Sequence, residues 1–309
     1  MAYKSVLVAN TGEDSLTLVS LADSCEIKTI YLSKLIEDEE DGLTQENNQL
    51  GPFDMVLSEE GWIYIANSYD NSIMKIDMEN IKLLGFIKVG RNPTCIKCYK
   101  GKIYVVNSDS NSISIIDEKT FSLIEDISMG ERPTDIKIDE DSLKAFIANG
   151  NCYTINVFDL VTEKVTSITL SKQPIKVEIE GKRLFVLSYI NNGILNYSNL
   201  SEMELDDFKT IMSVDLKGIF SNFIKIKGKD VFYLSNVEDG YIYKIDLDDE
   251  INISKIHLSK MPINIKWDGN EKLYIVDILN DELTIIDESN NQIINKIRVG
   301  HEPNGILLL

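Results

Sequence analysis

The chain has 309 residues, 43% of them apolar and 26% charged, which is enough apolar material for a continuous core and unlike the composition of a disordered protein. A formal charge of −19 opposes binding to phosphate backbones and anionic membranes, where Lys and Arg supply the affinity, so neither nucleic acid nor membrane is expected as a partner. No apolar run reaches the length of a membrane span, and MAYKSVLVANTGEDSLTLVS holds no signal-peptide core, which gives the expectation of a cytoplasmic protein.

Short β-rich runs ending in a polar residue recur along the chain: VLVAN to Asn10, IYIAN to Asn67, IYVVN to Asn107, AFIAN to Asn149, LFVLS to Ser188, FYLSN to Asn236 and LYIVD to Asp277. Ten residues after each, another apolar strand ends in Ser20, Asp77, Asp117, Asp159, Ser198, Asp246 and Asp287. The first landmarks are spaced by 57, 40, 42, 39, 48 and 41 residues, a period near forty with two insertions. Length alone suggests about two domains, but this repetition overrides it and predicts one domain over 1–309.

A proline opens a short strand upstream of most landmarks, at Pro52, Pro93, Pro133, Pro174, Pro262 and Pro303, with Phe220-Ser221-Asn222 in the sixth place. At a strand start, the missing N–H removes no ladder bond. In the copy beginning at Pro133 the unit reads as four strands, TDIKI, AFIAN, INVFDL and KVTSITL, split by turn clusters. Seven four-stranded units of about forty residues, with no helical period, predict an all-β, seven-bladed β-propeller. The first copy lacks its proline strand, and the chain closes with Pro303-Asn304-Gly305-Ile306-Leu307-Leu308-Leu309, so the C-terminal strand is expected to complete the first blade and close the ring.

Ile103-Tyr104-Val105-Val106-Asn107, then Ser110-Asn111-Ser112-Ile113-Ser114-Ile115-Ile116-Asp117 and Ile127-Ser128-Met129-Gly130-Glu131-Arg132-Pro133, resemble the YVTN family of β-propeller repeats. The resemblance covers nearly the whole chain and weakens in the fifth and sixth copies. It implies the propeller fold and binding roles without a shared catalytic set.

Asx residues cap turns through nearby backbone groups, and that is the expected role of the Asn and Asp landmarks. Asp14, Asp70, Asp109, Asp239 and Asp281 could ring a cation, but their unequal offsets favour solvated turns, and no metal or cofactor is expected. Cys25, Cys95, Cys98 and Cys152 are too few for a disulfide scaffold, and Cys95 and Cys98 would face opposite sides of a strand, so all four are read as buried structural thiols. Of the two histidines, His257 reads as packing in an outer strand, while His301 lies in a loop where neighbouring blades meet.

Two positional series stand out. Before the prolines come Arg91-Asn92, Glu131-Arg132, Lys172-Gln173, Lys260-Met261 and His301-Glu302, which symmetry places on one rim. Within the innermost strands, Lys97, Lys137, Lys225 and Lys266, with Glu178, are expected to line a central channel, either as snorkelling side chains or as an anion site. Residues 33–50, with the acidic run Glu37-Asp38-Glu39-Glu40-Asp41, read as a solvated inter-blade loop on the same rim; 199–208, with Ser201-x-x-Glu204, reads as one helical turn on the opposite face. The expectation is a monomeric, non-catalytic platform that binds a protein, a peptide or a small anionic ligand. A propeller lyase or lactonase-type hydrolase on the same rim is the alternative.

Overall fold

The structure, a computed structural model, describes residues 3–22, 26–37, 49–191, 196–247, 251–258 and 260–309. Its strands form seven four-stranded antiparallel sheets, the blades of a seven-bladed β-propeller. Blade 4 shows the pattern expected from sequence: Pro133–Asp139 innermost, then Lys144–Asn149, Thr154–Asp159 and Val165–Thr169 outermost. Pro303–Leu308 pairs antiparallel with Ser5–Asn10, with Val6 opposite Leu308 and Asn10 opposite Pro303, so the C-terminal strand is the innermost strand of blade 1. In blade 6, Phe220 stands opposite Asn236 as Pro133 stands opposite Asn149, which places Phe220 in the proline position.

The second strands of the blades are largely buried along their length, as strands covered on both faces are. Two compact units share the fold, and each shows this packing internally. In the first, which holds residues 1–128, 276–284 and 295–309, Ile63 and Ile65 pack with Leu7 and Leu16, while Tyr64 and Ala66 pack with Ile96 and Val105. In the second, which holds 129–275 and 285–294, Phe146 and Ala148 pack with Val177 and Val186, Phe185 with Phe223 and Phe232, and Tyr233 with Leu273 and Ile275. Full burial of each Ile, Leu, Val or Phe among them is worth about 1.5–3 kcal/mol.

Polar residues tie adjacent innermost strands together. Asp54 Oδ2 accepts from the Ile96 N–H at 3.0 Å, and Asp135 Oδ2 accepts from the Val177 N–H at 3.0 Å. Thr134 Oγ1 donates to the Ile175 carbonyl at 2.7 Å, and Ser221 Oγ to the Ile263 carbonyl at 2.8 Å.

Blade 5 corrects the repeat reading. Ser188 stands opposite Asn199 and Arg183 opposite Glu204, so Glu204, not Ser198, holds the second-landmark position. The second and third strands, Arg183–Asn191 and Asn196–Glu204, run nine residues each, and Ser201 and Glu204 lie in a strand rather than a helical turn. The second insertion therefore lengthens the hairpin after Ser188, at the end of the blade opposite to the one expected. The first insertion is corrected at its start: Leu32–Glu37 is a helix with Leu32 and Leu35 buried, and Leu50 is buried in the same cluster. Asp38, Glu39, Glu40 and Asp41 lie outside the described residues.

Candidate functional site

Two segments of each blade meet at one end: the loop leading to the innermost strand and the turn between the second and third strands. Backbone bonds clip them together. Gly12 donates to the His301 carbonyl at 3.1 Å, Asp109 to that of Arg91 at 3.1 Å, and Gly150 to that of Arg132 at 2.7 Å. The landmark asparagines complete the clip. Asn107 Nδ2 donates to Ser112 Oγ and Ser114 Oγ, and Asn149 Nδ2 to Thr154 Oγ1 and Asn156 Oδ1. The second-landmark aspartates cap the next turn, as with Asp117 accepting from Thr120 N at 2.7 Å and Asp159 from Thr162 N at 2.8 Å. Asp77, Asp117, Asp159, Asn236, Asp277 and Asp287 cap backbone N–H groups as expected. Asn10, Asn67, Asn107 and Asn149 instead direct their amides mainly to side chains of the following strand, and their Oδ1 atoms accept no hydrogen bond among the described residues.

The same geometry displays the rim residues. Asn92, Arg132 and Glu302 all take left-handed φ, at 55°, 51° and 52°, which turns the chain sharply before each proline. Asn71 Oδ1 accepts from Asn92 N at 2.8 Å, and Asp281 Oδ1 from Glu302 N at 3.0 Å, so one position in the facing turn holds the loop in two blades. The basic groups are largely engaged. Arg91 donates to the Asp109 carbonyl at 3.2 Å, and Lys88 pairs with Asp70 at 2.6 Å. In the second unit Lys172 lies 3.0 Å from Asp215, whose carboxyl it holds below the usual carboxylate range. Glu131 and Lys260 are exposed, Met261 and Gln173 half-buried, and Gln173 pairs with Tyr189. Among these groups stand large apolar side chains: Tyr69 and Leu279 in the first unit and Tyr153 in the second are 52%, 61% and 53% exposed.

Asp14, Asp70, Asp239 and Asp281, considered for a cation, are engaged by protein groups. Asp14 Oδ1 accepts from Leu50 N and Gly51 N, Asp239 Oδ2 accepts from the Tyr243 hydroxyl, and Asp281 faces His301. No cluster with metal-ligand geometry occurs among the described residues.

A cavity of about 310 Å³ opens in the first unit, lined by Glu13, Thr17, Thr29, Asp281, Arg298 and His301 among others. His301 Nδ1 lies 3.2 Å from Asp281 Oδ1, and its Nε2 lies 3.9 Å from Glu302 Oε1. A carboxylate-oriented imidazole can carry a proton. Among the described residues, no hydroxyl or thiol hydrogen-bonds to its Nε2. His257 is exposed, with its ring edge-on to Tyr241 at 4.8 Å.

The inner lysines are paired with carboxylates. Lys97 lies 3.9 Å from Asp54, and in the second unit Lys137 pairs with Glu178 while Lys176 pairs with Asp135 at 3.4 Å, so charges alternate along two adjacent innermost strands. Lys225 stands opposite Phe232, one register step away from Lys137, which stands opposite Phe146. Lys225 therefore faces the other side of its strand. There it pairs with Glu180 and lies over the Phe185 and Phe232 rings at 5.4 and 5.8 Å. Lys266, on Pro262–Trp267, lies four residues past its proline, as Lys137 lies four past Pro133, and is also engaged.

Cys95 is buried, and burial pushes the half-buried Cys98 thiol up to about 12. Cys152 is partly exposed on a rim turn, so it is not the buried thiol expected, and Cys25 lies outside the described residues.

No protein-family model matches the chain, and no curated protein matches it. Solved structures are similar to it. A provisionally assigned 6-phosphogluconolactonase from Bacteroides fragilis is 12% identical with a TM-score of 0.76, covering 99% of this chain and 98% of that one. A virginiamycin B lyase from Staphylococcus aureus is 15% identical with a TM-score of 0.69, covering 84% and 89%. A chain of the mitotic checkpoint complex is 10% identical with a TM-score of 0.71, covering 96% and 84%. Enzymes and an assembly component thus share this fold, and at such identities the likeness carries the fold alone.

Proposed function

We propose that this propeller is a non-catalytic binding module that engages a protein or peptide through the rim built by its inter-blade loops and facing turns. The observation that carries the reading is the placement of Tyr69 and Leu279 in the first unit, large apolar side chains exposed on turns that backbone hydrogen bonds hold rigid. Aromatic and aliphatic anchors on a fixed support, in the same unit as Arg91, supply what a protein interface uses: apolar contact at low entropic cost and polar groups at its edge. The resemblance of Tyr104–Asn107 and Gly130–Pro133 to YVTN repeats supports the same role, and cysteine usage supports a cytoplasmic setting.

Affinity capture from native extract, run with the unaltered chain and with a Tyr69→Ser, Leu279→Ser variant of equal thermal stability, tests this. A partner retained by the first and lost by the second is expected. Equal retention by both would place the interface elsewhere.

A further inference from the structure

The cavity beside His301 differs from the corresponding places in two other blades in one respect that bears on a ligand. In blade 3, Ser114 Oγ accepts from Asn107 Nδ2 at 2.8 Å and from Gly90 N at 3.5 Å, and its own hydroxyl donates to Asp126 Oδ1 at 2.5 Å. In blade 4, Asn156 Oδ1 accepts from Asn149 Nδ2 at 2.9 Å and Gly130 N at 2.7 Å, and its Nδ2 donates to Ser167 Oγ at 2.9 Å. Asp126 and Ser167 stand directly opposite on the outermost strands. In both blades the relay from landmark asparagine to outermost strand ends on a protein acceptor.

Blade 1 builds the first half of the relay and leaves the second open. Thr17 Oγ1 accepts from Asn10 Nδ2 at 2.9 Å and from Gly300 N at 3.2 Å. Those bonds occupy both lone pairs of a hydroxyl, so its hydrogen is left to donate. Thr17 is 1% exposed, no protein group accepts from it among the described residues, and it lines the cavity. Opposite it stands Thr29, where blade 3 has the Asp126 carboxylate. Arg298 lines the same cavity, exposed and with no ion pair among the described residues. A buried donor without an acceptor costs free energy, and a carboxylate placed here would take the Thr17 hydroxyl as Asp126 takes that of Ser114, with the guanidinium balancing its charge.

The rest of the lining has the opposite character. Glu13 Oε1 accepts from Ser15 Oγ at 2.7 Å and leaves its second oxygen uncommitted, and Asp281 faces His301. Gly300 makes this approach possible, since a Cβ there would stand 2.1 Å from Glu13 Oε1. A ligand carrying only an anion would meet these carboxylates unpaired. We propose that the cavity binds a small amino-acid zwitterion, its carboxylate on Thr17 and Arg298 and its ammonium on Glu13. A cavity of about 310 Å³ is at the small end of ligand pockets and suits a molecule of that size. The proposal stands on geometry separate from the rim anchors and goes beyond the partner reading.

Calorimetric titration of the full chain with the common protein amino acids, with acetate and with methylammonium tests it. At least one amino acid is expected to bind saturably at one per chain, about tenfold or more tighter than acetate, and methylammonium not at all. Arg298→Gln changes an exposed side chain and should weaken binding about tenfold. Thr29→Asp supplies the acceptor that blade 3 already has; it should abolish binding without lowering the melting temperature. Absence of saturable binding by any amino acid overturns the proposal, as does equal binding of acetate, or binding unchanged in both variants. Capture of a partner by the rim is unaffected by any of these results.

Discussion

The amide of Asn107 lies so close to Gly90 that a Cβ on Gly90 would stand 2.7 Å from Asn107 Cγ. Asn149 meets Gly130 and Asn10 meets Gly300 in the same way, with corresponding distances of 2.6 Å in both. The landmark asparagine and the loop glycine are therefore one packed unit. Gly90→Ala should displace Asn107 from Ser112 and Ser114 and cost about 2 kcal/mol, through strain and weakened buried hydrogen bonds. Asn107→Ala should cost a similar amount, and the two changes combined should cost clearly less than their sum, because both break the same clip. Denaturant melts of the two single variants and the double variant measure this, and full additivity would mean that the contact contributes nothing.

This contact shows why the fold was legible in sequence and the site less so. Polar stops at regular spacing mark the residues that clip loop to turn, so seven blades and the pairing of Pro303–Leu308 with the first blade could be read from the chain. The frame slipped in blade 5. The longer hairpin there holds Ser198 ten residues after Ser188, where the period expected a landmark, though Ser198 stands opposite Tyr189. Lys225 slipped for a related reason: the run FIKIK places a lysine one step out of register, and one step moves a strand residue to the other face. His301 was visible as an unusual loop residue. Thr17 and Arg298 were not, because no local pattern joins residues so far apart; alignment at seven residues past Asn10, Asn107 and Asn149, which gives Thr17, Ser114 and Asn156, was the signal that existed.

Lys225 is a buried cation held by Glu180 and by two aromatic rings. Burial pushes the Glu180 carboxyl up, but hydrogen bonds from Lys225 and from the Gly228 N–H prevail and hold it below the usual carboxylate range. Lys225→Ala should cost about 2 kcal/mol, less than the loss of a fully buried pair because Glu180 keeps partial access to water. Lys225→Met, which keeps the packing against Phe185 and Phe232, should recover part of the loss. A melting temperature unchanged in Lys225→Ala would show that the pair is energetically idle.

The thiols should differ in reactivity. A thiolate is the reacting form, so a thiol raised to about 12, as at Cys98, is scarcely ionised at pH 8, and Cys95 is buried. Cys152 is partly exposed beside Thr154. Alkylation of the folded protein with iodoacetamide, followed by peptide mass spectrometry, should label Cys152 well ahead of Cys95 and Cys98, which should react only on unfolding. Early labelling of Cys98 would contradict the packing described for blade 3.

Acid should destabilise the blades through their turn caps. Hydrogen bonds hold Asp77, Asp117, Asp159 and Asp287 below the ordinary aspartate value: the Asn80 side chain foremost at Asp77, the Thr120 and Thr162 N–H groups at Asp117 and Asp159, and the Ser289 hydroxyl at Asp287. A carboxyl whose value is depressed on folding binds its proton more readily in the unfolded chain. Its stabilising contribution is therefore present above the unfolded value and is lost as pH falls through the folded one. The melting temperature should accordingly decline as pH drops below about 4, with net proton uptake on unfolding. Replacing all four residues with Asn keeps a side-chain oxygen that can accept the cap hydrogen bonds and removes the titration, so the variant should melt with a shallower dependence on pH over the same range. Melting curves from pH 7 down to pH 3 on both proteins decide the matter: parallel curves would mean that these caps do not set the acid limit.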